Sequence, residues 1–322
     1  MKRTLVAALL VSLASPVAPA LAQQYPTRPI RAIVPYAPGG GTDVAARPVA
    51  IRMSERLGQQ IVIDNRPGAS GNIGTEIAAR ALPNGYTLLF GSTAVQAVNP
   101  ALYPKLPFDV VRDFAPIAMV SQATYLMVTN PGLPAATVPE FLQIAKSGTR
   151  KLVQASSGIG STAHLAGEML KIMTGSDYVH VPYKGGGPAA AAVIAGEASF
   201  MFIEITVGMP FINAGRLKLI AAATLRRSPK LPNIPTLVEA GLPGFEVAGW
   251  SALFAPAGTP RSVIDRLNAE VRNVLSLPDI RERLVLDGSE FGDNSPQYVG
   301  TLLKAEIAKY AKLVKASGAR VE

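Results

Sequence analysis

Two glycine-rich turns carry the residue types in this chain best suited to holding a ligand. One is Pro38-Gly39-Gly40-Gly41-Thr42-Asp43, the other Ser156-Ser157-Gly158-Ile159-Gly160-Ser161-Thr162. Each follows a short apolar run, Ile33-Val34-Pro35-Tyr36 or Leu152-Val153-Gln154-Ala155, and each leads into a stretch with helical spacing. A strand, glycines and a helix start in that order present free backbone N–H groups beside the positive end of a helix dipole, which suits an anion. Neither turn contains a Lys or Arg. Two such turns, about 120 residues apart, suggest two lobes gripping one carboxylated ligand.

Individual residues leave alternatives open. Asp43 complements the helix dipole, orients the turn, or accepts a hydrogen bond from the ligand. Ser161 and Thr162 are ligand donors or helix caps. The turn Gly185-Gly186-Gly187-Pro188 is a third candidate, against a plain packing turn. Ser92-Thr93, after a strand, faces the same crevice if the sheet is parallel.

Other chemistries fit less well. Gly158-Ile159-Gly160-Ser161-Thr162-Ala163 matches the relaxed dinucleotide fingerprint, but no acidic residue ends the next strand, which closes on Val181-Pro182-Tyr183-Lys184. His164 and Glu168 are four apart, and His180 is the only other histidine; capping or core hydrogen bonding suits them better than a metal. There is no Cys and no G-x-S-x-G elbow, so thiol catalysis is excluded and a serine nucleophile has little support. No cofactor or metal is expected.

Strands and helices alternate from residue 28 onward, and both turns fall at strand-to-helix junctions of this series. Strands are predicted over Ile30–Tyr36, Ile61–Ile63, Tyr86–Phe90, Ala115–Val120, Tyr125–Val128, Leu152–Ala155, Tyr178–Val181, Ser199–Ile203 and Leu217–Ala223. Predicted helices include Thr42–Leu57, with Thr42 as N-cap, Gly58 as stop and a kink or local repair at Pro48. Others cover Ile73–Ala81, Val138–Lys146, Thr162–Thr174 and Ala189–Ala195. Thr259-Pro260 and Ser295-Pro296 each read as an N-cap followed by a first-turn proline. The alternation argues for an α/β fold with a parallel, doubly wound sheet.

Lys2 and Arg3, the apolar run Leu5–Leu13 and Ala20-Leu21-Ala22 read as a signal peptide over residues 1–22. The mature chain is then expected to be soluble, periplasmic and without a lipid anchor. It is long enough to bury a core without disulfides. Removing the two leader cations lowers the formal charge of +9 by two. The remaining basic residues are scattered and aromatic content is only 6%, which argues against nucleic-acid binding.

Several segments together resemble the Bug family, periplasmic substrate-binding receptors of tripartite tricarboxylate transporters. They are 34–43, Asp64-Asn65-Arg66-Pro67-Gly68-Ala69-Ser70-Gly71-Asn72-Ile73-Gly74, Pro83-Asn84-Gly85-Tyr86-Thr87-Leu88 and His164-Leu165-Ala166-Gly167-Glu168. His180-Val181-Pro182-Tyr183-Lys184-Gly185 and Pro210-Phe211-Ile212-Asn213-Ala214-Gly215 complete the set. The resemblance implies a two-lobed, type II-like periplasmic binding fold, each lobe a doubly wound sheet with helices on both faces. Lobe 1 would be residues 23–123 plus 247–322 and lobe 2 residues 124–246, with crossovers near Ala123–Asn130 and Glu246–Pro256. It implies a monomeric, non-enzymatic receptor that hands a small carboxylate to membrane permease subunits. An exported hydrolase or lyase, or a ligand-sensing component, is the alternative. Carried onto this chain, Gly40, Gly41, Thr42 and Asp43 hold the ligand from lobe 1 and Gly160, Ser161 and Thr162 from lobe 2, with Tyr36 and Ser92 as walls. Where many relatives have Asp then Asn, this chain has Ile203 and Glu204; Ile203 would make that wall more apolar and favour an aromatic or alkyl carboxylate.

Overall fold

The computed structural model describes residues 25–148, 150–227, 231–285 and 293–317. The expected leader lies outside these residues. Strand β1 (Ile30–Val34) leads into α1 (Gly41–Leu57), followed by β2 (Ile61–Asn65), α2 (Asn72–Ala79) and β3 (Thr87–Ser92). A π-helical turn over Ala94–Val98 and the short α3 (Asn99–Leu102) precede the long β4 (Phe114–Thr129). Next come α4 (Val138–Ser147), β5 (Val153–Ser156), α5 (Thr162–Thr174), β6 (Val179–Pro182) and α6 (Gly186–Ala195). The chain continues through β7 (Phe200–Glu204), α7 (Ile205–Asn213), β8 (Lys218–Ala222) and β9 (Ala248–Pro256). Helices α8 (Arg261–Leu275), α9 (Pro278–Val285) and α10 (Pro296–Ser317) complete it.

Helix α1 forms because Ala46, Val49, Ala50 and Met53 recur on one face, and all four are buried. Burying a side chain such as Met53 contributes about 1.5–3 kcal/mol. The helix continues through Pro48 and stops at Gly58, whose φ of 68° is left-handed. Its cap is Gly40, not the expected Thr42, which sits in the first turn. Likewise Pro260 takes the cap position of α8, because the Thr259 hydroxyl donates to the Pro256 carbonyl instead. At α10 the expected cap holds: Ser295 Oγ accepts from the Tyr298 amide at 3.1 Å.

The strand order is β2-β1-β3-β9-β4-β7-β5-β6, with β8 also paired to β4. Pairing is parallel within β2-β1-β3 and β7-β5-β6, where βα units follow one another. The all-parallel expectation fails at β9, antiparallel to both β3 and β4, and at β4, antiparallel to β7 and β8. Alternation of apolar residues marks a strand but carries no direction, and β9 arrives from far along the chain. The two runs predicted at 115–120 and 125–128 are one strand. From Phe114 to Thr124, β4 pairs with β9; from Tyr125 to Thr129 it pairs with β7 and β8.

Separate apolar clusters lie along this course. Ile30, Val34, Met53, Leu267 and Val271 pack together around β1. Beyond β4, Phe141, Phe200, Phe202 and Phe245 form another, with Phe141 and Phe200 edge to face at 4.7 Å. Leu165 of α5 belongs to a third cluster with Leu102 and Trp250, so α5 shares a core with α3 and β9.

Candidate ligand-binding site

The turn before α1 and the turn before α5 converge on one cavity with about 700 Å³ of atom-free space, its open mouth included. Gly40, Gly41 and Thr42 form its wall on one side, Ser161 and Thr162 on another, and Gly185 on a third. Tyr36, Ser92 and Ile203 also line it. Nine of the residues expected at the ligand therefore share one surface.

The α1 turn is held from behind. Gly40 caps the helix without a side-chain bond. Asp43 is not among the cavity-lining residues. Its carboxylate accepts from the Gly39 amide at 2.9 Å, Arg47 Nε at 2.8 Å and Asn65 Nδ2 at 2.9 Å. Burial opposes the charge, but these donors outweigh it and hold the carboxyl below its ordinary range. Asp43 is thus a brace for the turn and not a wall residue. Its partners, Gly39, Arg47 and Asn65, are supplied partly by β2, which local sequence does not place beside it.

The α5 turn is held by a helix cap and an imidazole. Ser161 Oγ accepts from the His164 amide at 3.1 Å, leaving its hydroxyl proton for another acceptor. The Gly160 amide donates to His164 Nδ1 at 3.0 Å, and a Cβ at Gly160, where φ is 74°, would overlap Leu102. Gly160 is thus held by His164 and Leu102 and is not among the cavity-lining residues. His164 stacks on His180 at 4.0 Å, and His180 Nε2 lies 2.6 Å from Ser156 Oγ. Burial depresses both imidazoles, His180 down to about 3 with the help of His164 and Lys171. The pair is a neutral hydrogen-bonding scaffold. No group of His, Cys, Asp or Glu that could hold a metal exists among the described residues.

The walls between the turns are mixed. Tyr36 Oη and Ser92 Oγ pair at 2.8 Å, and Ser121 and Ser251 pair at 2.7 Å where β4 faces β9. Burial holds the Tyr36 phenol neutral by raising it above its ordinary value, Ser92 working against this and Glu204 with it. Met201, Phe202, Ala94 and Val207 add apolar surface. Trp250, the only tryptophan of the chain, lines the cavity and donates from Nε1 to Glu306 at 3.3 Å. Sequence reasoning missed Ser121, Tyr125, Glu204 and Trp250. The extended crossovers were visible, but which of their faces meets the cavity depends on pairing across the chain.

The arrangement offers hydroxyls and helix-start amides, with no Lys or Arg among the cavity-lining residues. The close Ser156–His180 pair cannot reach a ligand there: Ser156 is fully buried and outside the wall. What the geometry can do is hold an anion.

Fold and cavity together define a two-lobed solute-binding protein. The chain belongs to the tripartite tricarboxylate transporter receptor family, whose model matches residues 45–319. Among solved structures it is 36% identical to R. palustris Rpa4515 solved with adipate, covering 92% of this chain and all of that one with a TM-score of 0.89. It is 33% identical to the periplasmic binding protein BugD over 92% and 100% of the two chains, TM-score 0.87. MatC from Rhodopseudomonas palustris, solved with bound malate, is 34% identical over 90% of this chain and 100% of its own, TM-score 0.85. The matched family is one of transporter receptors, not of enzymes. No helix among the described residues is long and apolar enough to cross a membrane.

Proposed function

We propose that this protein captures a small organic carboxylate between its lobes and delivers it to the membrane subunits of a tripartite transporter. The observation that carries the reading is the convergence of two glycine-rich helix starts, at Gly40–Thr42 and Ser161–Thr162, on one cavity without a basic side chain. Charge-assisted hydrogen bonds contribute about 1.5–3 kcal/mol each. Four or five of them give on the order of 6–15 kcal/mol before ordering and desolvation costs, against about 8 kcal/mol for micromolar affinity. An arginine clamp is therefore unnecessary. Adipate and malate in the related structures support the ligand class.

The lobes are residues 23–123 with 247–322, and residues 124–246. The change of partners along β4 between Thr124 and Tyr125 supports that division. The mature protein, cut after Ala22, works as a periplasmic monomer. A thermal-shift screen of refolded, ligand-stripped protein against organic acids tests the function. A saturable rise in Tm with a carboxylate, without turnover, is expected. No shift across the panel overturns the reading.

A further inference from the structure

The α1 side of the cavity already holds a carboxyl group of the protein's own. Glu204, the last residue of β7, lies so close to the first turn of α1 that a Cβ at Gly41 would overlap its carboxyl group. Tyr125 Oη donates to Glu204 Oε1 at 2.9 Å. No Lys or Arg among the described residues pairs with it, and burial lifts the carboxyl above its ordinary range. The neighbouring elements supply no compensating cation. On the cavity wall the other titratable groups are the buried phenols of Tyr36 and Tyr125, both raised. Asp43 on α1 is already matched by Arg47, while α7, which follows Glu204, has no titratable side chain.

We propose that Glu204 sets the charge of the ligand: with its carboxyl seated against the start of α1, only the α5 turn is left for a ligand carboxylate, and the receptor takes monocarboxylates in preference to dicarboxylates. The inference rests on the carboxylate-receptor reading above and narrows it. A second ligand carboxylate directed at α1 meets a like charge inside a poorly screened cavity, or must bring a proton for Glu204, or must displace Glu204 from Tyr125. The rest of a monoacid finds Ile203, Phe202 and Val207, an apolar wall that matches an alkyl or aryl body. The related proteins solved with adipate and malate hold dicarboxylates, so the proposal separates this chain from them.

The test is calorimetric titration of ligand-stripped protein with matched acids, from butanoate and succinate to benzoate and terephthalate, near neutral pH. In the wild type the monoacid of the best-binding pair is expected to bind at least about tenfold tighter than its diacid. Glu204→Gln, which keeps the shape and removes the charge, is expected to tighten diacid binding and cut that ratio several-fold. Equal or tighter diacid binding by the wild type overturns the proposal whether or not the variant folds. An unchanged ratio in a folded variant overturns it too. Absence of binding by every acid to both proteins is a different result: it removes the receptor reading underneath.

Discussion

Thr42 and Ser161 occupy different positions at their helix starts, and their hydroxyls have different work. Thr42 lies in the first turn of α1, buried, with its helix capped by Gly40. Ser161 is itself the cap of α5. Thr42→Ala, which removes a hydroxyl facing the ligand body beside the turn held by Glu204, is therefore expected to weaken ligand binding by roughly 0.5–1.5 kcal/mol while leaving the ligand-free Tm nearly unchanged. Ser161→Ala is expected to weaken binding by roughly 1–3 kcal/mol and also to cost about 1 kcal/mol of stability through loss of the cap. Titration and thermal melts on both variants check this. Full affinity in both would remove the two turns from the site.

At the scale of elements, α5 and β6 meet through the stacked imidazoles of His164 and His180. Both are depressed by burial, so the folded protein resists protonating them while the unfolded chain does so near the ordinary value of 6.5. The sign follows: the unfolded state binds more protons below that pH, and stability falls as pH drops from about 6.5 toward the value of about 3 for His180. Replacing His180 with Gln, which cannot take up a proton, is expected to flatten this part of the stability curve. Chemical denaturation at a series of pH values reads it, and an unchanged slope would show that the pair does not control acid stability. His164→Ala leaves the Gly160 amide without its acceptor, so its effect belongs first to the stability of the turn.

At the scale of the whole molecule, the three glycine turns matter for how closely the sides of the cavity approach. Gly40 lies near the Gly186 amide and Gly187 near the Gly39 carbonyl, so the turns before α1 and α6 pack backbone to backbone. Ser70 Oγ also donates to the Ile159 carbonyl at 2.6 Å, joining the α2 and α5 sides. Gly187→Leu, at a position without a left-handed φ, is expected to hold the turns apart. Ligand affinity should fall by at least about tenfold with little change in ligand-free Tm. Trp250, lining the cavity as the chain's sole tryptophan, provides the fluorescence readout. Undiminished affinity would mean that this contact is not part of the ligand-bound form.

The sequence alone determined the local parts. Helix α5 was legible over Thr162–Thr174 to the residue, because glycine turns, caps and 3.6-residue periodicity are written in near neighbours. The two glycine turns were legible as the loops that open α1 and α5 for the same reason. Asp43 was legible as a member of its turn but its partners were not, since a side chain's direction is settled by what packs against it, here Asn65 of β2. Only the tertiary structure decided the antiparallel place of β9, the single long β4, and the meeting of Tyr125, Trp250 and Glu204 at one cavity. Those pairings join residues more than a hundred positions apart in some cases, such as Ser121 with Ser251. No local pattern encodes them, because strand periodicity fixes which residues share a face and leaves open which strand that face will meet.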